Sequence, residues 1–333
     1  MNRISYIDNI KTLGIFFIIL GHMPLTNRFF HNWIFTFHVL LFFFISGFLC
    51  KYMSDNISFL KKNFYSLILV TVPYFIIGYV FRSFQNYFFY PNSFDMENVL
   101  WKPLLYYLTG DSRMGVMWFL LALFWMRIIS NFVLHYLSIR ILLLFSFILA
   151  IVLYCIPFHF NIYQIYAALL AFPIYCLGIN CRRNNWIEQY RNLSLYIRMI
   201  ISFILFILTM VCTLYCGTID LNALKIGNNL ICYYIAAIMG IFFIISLTCC
   251  LKTNKKIEII SQGTMVILGF HMFFIQVCKL GYKKLLGITI PPPYMDNLSG
   301  IILSLFILVI CYFLIVKILN SKYKVIRLLA GKK

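Results

Sequence analysis

Residues 230–251 read LICYYIAAIMGIFFIISLTCCL, twenty-two positions without one Asp, Glu, Lys, Arg or His. Wound as an α-helix the run is about 33 Å long, against a bilayer hydrocarbon core of about 30 Å, so it is long enough to cross a membrane. Nine further stretches share this character: 10–25, 33–50, 65–81, 115–134, 140–157, 162–179, 197–216, 263–279 and 299–318. The alternating pattern of a membrane barrel is absent, and Pro or Gly inside a span is tolerated where neighbouring helices satisfy the backbone. The sequence thus predicts an all-α polytopic membrane protein of about ten transmembrane helices. With no long linker, low-complexity tract or convincing internal repeat, residues 1–333 read as a single transmembrane domain.

Composition points the same way. Of 333 residues, 63% are hydrophobic and 11% charged, where a soluble domain carries about 25% charged residues. The net charge of +19 does not indicate nucleic acid, because the basic residues fall singly or in small groups between apolar runs instead of forming a basic domain. The 11 cysteines lie mostly inside those runs; no CxxC pair occurs, and adjacent Cys249 and Cys250 suit neither a zinc site nor an ordinary disulfide. The first apolar run opens with Asp8 and Lys11 and has no small-residue cleavage site behind it, so it reads as a retained span.

Positive charge marks the cytoplasmic loops. With both termini inside, 20 of the 28 Lys and Arg residues fall on the inner side and 8 outside. That split favours two cytoplasmic termini.

Ionisable side chains inside spans are costly and are functional candidates by default. Here they are Lys11, His22, His38 and His271, with Arg82 and Arg113 near outer ends. Lys11 and His22 are eleven residues apart, which puts them on one helix face and roughly 16 Å apart along the axis. His38, several residues inside the outer end of the antiparallel second span, lies at a depth similar to that of His22, just inside the outer end of the first. Imidazole titrates near neutrality and suits the role of general base toward a hydroxyl; His22 is the candidate base, with His38 orienting the acceptor or sharing the proton. Three dispersed histidines without close carboxylates make a poor metal site. Asp111 is the candidate carboxylate partner of His22.

The amino-terminal stretch YIDNIKTLGIFFIILGH (6–22), followed by FHVLLFFFISGFL (37–49), resembles the acyltransferase-3 superfamily of membrane acyltransferases, nearest its fucose-O-acetylase-like branch. That family has a basic residue, ten intervening residues and a histidine in its first span, matched here by Lys11 and His22. Many members have Arg at the first position; Lys11 keeps the charge and loses bidentate phosphate geometry. Phe37-His38 to Ser46-Gly47-Phe48 resembles the family's second element. Met117-Trp118-Phe119-Leu120, Phe172-Pro173 to Gly178 before Arg182-Arg183, and Gly263-Thr264 to His271 are similar to later ones, Thr264 and Gly269 departing from the last.

The resemblance implies transfer of an acetyl or other short acyl group from cytoplasmic acyl-CoA, acetyl-CoA in the first instance, to a hydroxyl of a cell-surface carbohydrate, lipid-linked or polymeric. It implies a multi-pass protein of a bacterial plasma membrane, working in the lipid bilayer without nucleic acid or metal, with a homo-oligomer left open. In that frame Lys11, Arg182 and Arg183 hold the CoA phosphates, His22 and His38 are catalytic, and Arg82, Asp111, Arg113, Trp118 and His271 contact substrate. No Ser or Cys stands out as an activated nucleophile, which favours direct transfer over an acyl-enzyme. The competing class is a transporter or flippase for lipid-linked sugars, since broken spans with buried charges suit transporters too. Reporter fusions check the topology: one after Lys333 and one within 252–262 are expected in the cytoplasm, one within 285–297 outside.

Overall fold

A computed structural model describes residues 4–89, 101–109, 115–156, 161–286, 295–323, 326–327 and 329–331. Two antiparallel helices, α1 (Ser5–Gly21) and α2 (Arg28–Phe48), open the chain. Their connection is pinned from outside: the Thr26 N–H donates to the Met295 carbonyl (2.9 Å), and the Met295 N–H donates to that of Pro24 (3.1 Å). Asn27 caps α2 by accepting from the Phe30 N–H. α3 (Asn56–Asn63) runs through a π-turn (Phe64–Ile68) toward α4 (Thr71–Phe89); α5 (Lys102–Thr109), α6 (Trp118–Val133) and α7 (Ile139–Cys155) follow. Next come α8 (Ile165–Arg183), α9 (Trp186–Arg191), α10 (Leu195–Leu214), a short hairpin of β1 (Ile219–Asp220) and β2 (Lys225–Ile226), and α11 (Leu230–Cys249). The chain closes with α12 (Lys255–Gln262), α13 (Thr264–Leu286) and α14 (Asn297–Leu319).

A helix occupies each of the ten apolar windows read from the sequence. Among the described residues six helices are long and apolar enough to cross a membrane: Arg28–Phe48, Asn56–Phe81, Ile162–Arg183, Leu195–Leu214, Leu230–Cys249 and Asn297–Leu319. A seventh counts if α12 and the first part of α13, which meet at a 78° bend, form one broken span; Trp118–Val133 and Ile139–Cys155 are apolar but shorter. The protein is an all-α polytopic membrane protein, to which the β1–β2 hairpin is a small addition that period-two patterning over two residues cannot signal.

Burial sorts the helices. In the 18-residue apolar stretch of each, 78% of Ile162–Arg183 is buried, against 17% of Leu195–Leu214 and 28% of Asn297–Leu319, so α8 is central and the other two turn apolar surface outward. α8 packs chiefly on α2 and α7, and α10 on α11. The α2–α8 contact is one of backbone on backbone: a methyl group at Gly47 would collide with the Tyr175 carbonyl, and one at Gly178 with that of Phe44. Elsewhere polar side chains join the helices. Asp8 accepts from Ser261 Oγ (2.6 Å), Asn9 Nδ2 donates to the Thr248 and Leu251 carbonyls (3.3 and 3.0 Å), and Thr12 Oγ1 donates to that of Ile257 (3.1 Å). The first turns of α1 are thereby tied to the α11–α12 connection and to α12.

Neither backbone at the α2–α8 crossing can retreat without unpacking its own helix. Gly178→Ala is therefore expected to destabilise the folded protein by about 1–3 kcal/mol or more, measured as a lower thermal unfolding midpoint in detergent. An unchanged midpoint would rule out the close crossing.

Candidate active site

Three histidines from three helices meet at one end of the bundle. His22 caps the carboxyl end of α1, its N–H shared between the Ile18 and Ile19 carbonyls (3.3 and 3.1 Å). His38 of α2 lies across from it, ring centroids 6.4 Å apart and planes nearly perpendicular. His271 of α13 is nearer still, at 5.1 Å with planes tilted by 36°. The sequence pairs His22 with His38 by depth alone; that His271 joins them follows from the bend at Gly263, which no spacing in the sequence encodes.

Two of the three tautomers are set by backbone carbonyls. His38 Nδ1 lies 2.9 Å from the Ile34 oxygen, and His271 Nδ1 lies 2.9 and 3.0 Å from those of Ile267 and Leu268. A carbonyl only accepts, so in each neutral ring the proton sits on Nδ1 and the Nε2 lone pair is left for other use. His271 Nε2 is buried without a hydrogen-bond partner. His38 Nε2 is turned toward Gly21, where even a Cβ would stand 3.8 Å from it. Phe35 packs between the His31 and His38 rings, with centroids 4.2 and 4.7 Å away.

His38 and His271 are sealed in, with 2% and 0% of their surface exposed. His22 is half-buried and lines a cavity of about 300 Å³ together with Tyr74, Tyr107, Trp118, Asn222 and Met272. Of the three histidines it is the one facing open volume. Trp118, the first residue of α6, is brought to the same cavity. Arg82 falls within α4, but its side chain, like Asp111 and Arg113 entirely, lies outside the described residues.

Cations gather at the opposite end. Lys11 is half-buried on α1. Arg182 pairs with Glu188 (2.8 Å) and lies over the Phe48 ring (5.2 Å), while Glu188 also accepts from the Tyr6 hydroxyl (2.7 Å). Arg182 and Arg183 line a small cavity of about 70 Å³ with Cys50, Tyr52 and Asn131. Arg127, one of the 20 basic residues that the charge count assigns to the inner side, lies within α6. Its Nε and Nη2 donate to Ser46 Oγ (3.1 and 2.9 Å) and its Nη1 to Asn63 Oδ1 (3.2 Å). Both partners are neutral, and among the described residues no carboxylate lies within ion-pair distance of it. The signal was available: Arg127 sits well inside the apolar window 115–134, where an unpaired cation is costly.

A family model described as an acyltransferase domain matches residues 4–316. The chain belongs to the acyltransferase-3 family. No curated protein and no solved structure matches it. This acyltransferase-3 protein is thus a membrane acyltransferase whose motif stretches have separate places in the fold. His22, His38 and His271 converge on one end, whereas Gly47 and Gly178 form the crossing of α2 and α8. Among the described residues no group of three or more His, Cys, Asp or Glu side chains is arranged to hold a metal ion.

Proposed function

We propose that this acyltransferase moves an acetyl or other short acyl group from cytoplasmic acyl-CoA to a hydroxyl of a cell-surface carbohydrate, with His22 as general base and residues 1–333 as one catalytic domain. The observation that carries the reading is the position of His22, the one cluster histidine open to a cavity and backed by two rings whose accepting nitrogens are already fixed. In the reaction an acceptor hydroxyl gives its proton to His22 while its oxygen attacks the thioester carbonyl carbon; the C–S bond breaks and CoA leaves as a thiolate. The imidazolium so formed lies beside the His271 and His38 rings, with centroids 5.1 and 6.4 Å away, and fixed polar rings in place of bulk water favour the charged state where it develops. Trp118 walls the acceptor side, and Arg82, Asp111 and Arg113 belong to the same proposed acceptor region.

The donor enters from the other end. Lys11, Arg182 and Arg183 bind the CoA phosphates, and Arg127, a cation with neutral partners, adds to that attraction. Ser46, which Arg127 holds, and His38 are eight residues apart on α2, about 12 Å along the axis; the thioester must cover this distance inward from the phosphates. Both termini are cytoplasmic in this arrangement, within a bacterial plasma membrane, and the fucose-O-acetylase-like branch is the one we propose. Mass spectrometry of surface glycans from cells with and without the chain identifies the acceptor.

A positioned base contributes about 10²–10⁴-fold to rate, or about 3–5 kcal/mol. His22→Ala is therefore expected to abolish detectable single-turnover transfer while acetyl-CoA still binds. His38→Ala and His271→Ala are both expected to lower turnover severely, since each removes a lone pair beside the base. Near wild-type turnover in His22→Ala would refute the assignment.

At the donor end, Lys11→Ala is expected to weaken acetyl-CoA binding with the thermal midpoint retained, and Lys11→Arg to keep most activity. Unchanged affinity in Lys11→Ala would leave Lys11 as an anchor that snorkels to the membrane surface.

A further inference from the structure

The β1–β2 hairpin lies outside every apolar window and takes no part in the steps above, yet it is built rigidly. Ile219 pairs with Ile226 and Asp220 with Lys225. The turn is closed by the Leu224 N–H on the Leu221 carbonyl (3.2 Å) and by the Ala223 N–H on Asp220 Oδ1 (3.3 Å). At its base the Asn228 N–H donates to the Cys216 carbonyl (2.8 Å). Gly227 there has φ +74° in a space where a side chain would run into that same carbonyl. Ile219, Leu221 and Ile226 are buried, and β1 rests on α2, the helix that carries His38. Leu224 is held at φ 57°, a conformation a non-glycine residue keeps only where its surroundings impose it.

The turn so fixed places Asn222 in the wall of the cavity that His22 lines. The same wall carries Phe75 and Trp118, which offer aromatic faces, and Tyr74 and Tyr107. The Tyr74 hydroxyl donates to the Leu329 carbonyl and the Tyr107 hydroxyl bonds Thr71 Oγ1. A carboxamide has two donor hydrogens and an oxygen with two lone pairs, so it serves a ligand in addition to any contact within the protein. Aromatic faces beside an amide suit the alternating apolar patches and hydroxyls of a sugar ring better than they suit an ion or a plain acyl chain.

We infer that Asn222 is a specificity-determining residue, hydrogen-bonding an acceptor hydroxyl that neighbours the one being acylated. The inference rests on the carbohydrate reading above. It extends that reading to an element in which the sequence shows no motif.

The test uses the purified full-length protein, acetyl-CoA, and a panel of p-nitrophenyl glycosides of hexoses and 6-deoxyhexoses as acceptors. For Asn222→Ala the KM of the best glycoside is expected to rise about tenfold or more, the loss of a well-placed hydrogen bond, and the preference among glycosides to flatten. Acetyl-CoA affinity and the thermal midpoint are expected to stay at wild-type values, and Asn222→Gln to recover part of the preference. An unchanged KM with an unchanged ranking of glycosides would overturn the inference, as would an equal loss of acetyl-CoA affinity and transfer. Should the alanine variant fail to fold, Asn222→Asp, nearly the same size but without the donor hydrogens, supplies the same comparison of KM and ranking. A wild-type protein that binds acetyl-CoA and acylates none of the glycosides would remove the carbohydrate reading, and this inference with it.

Discussion

The approach of α2 to α8 at Gly47 and Gly178 sets most of what the rest of the molecule does. Where side chains separate two helices, rotation by a fraction of a turn can be absorbed by rotamer changes. Where carbonyls occupy the space of the missing Cβ atoms, it cannot, because interiors this dense resist displacement. α2 is therefore locked about its own axis. That one orientation sends His38 toward Gly21 and His22 at one end and Ser46 toward Arg127 at the other. A methyl group at the crossing would misalign two polar sites that it does not touch.

The polar residues of α1 divide between framework and chemistry. Asp8, Asn9 and Thr12 bond the α11–α12 connection and α12, and the same short helix α12 leads into the 78° bend. α13 leaves that bend carrying His271 to within 5.1 Å of His22. The first turns of α1 thus hold the element that completes the cluster at its carboxyl cap. Asp8, which opens the first apolar run, is linked to the cluster through α12 and α13 and not along α1.

The fold was largely legible because membrane insertion leaves a strong trace: each of the ten apolar windows holds a helix. Lengths were harder to read, since broken or short helices such as α6 and α12–α13 depend on neighbours that a hydropathy window does not see. Of the site, His22 and His38 could be read because they share one hairpin, and helical geometry relates residues joined by a short turn. His271 is related to them only through the bend at Gly263, with Ile315 of α14 packed into the space a side chain there would need. Arg127 is a different case: counting it among the inner-side charges passes over its place well inside the apolar window 115–134, and the partners that hold it there, Ser46 and Asn63, are far from it in sequence. Asn222 had no signal at all: an Asn in a polar turn is among the commonest features of any sequence, and its position gains meaning only from the cavity beside it.

The two sites also differ in how their charges are handled, and the difference suits their proposed tasks. Cations at the inner end are compensated unevenly: Arg182 is held by Glu188 and the Phe48 ring, whereas Arg127 is held by neutral groups and keeps its full field. A polyanion arriving there meets one cation that must first exchange a partner and another already poised, so attraction need not await rearrangement. At the histidine end the neighbours are neutral rings with fixed tautomers, and a positive charge arises only when a proton is taken up. Arrangements that cost little before the reaction and stabilise charge as it forms are those that lower a barrier instead of merely tightening ground-state binding. Placing the permanent charges about 12 Å from the transient one, measured along α2 from Ser46 to His38, keeps the first from suppressing the second.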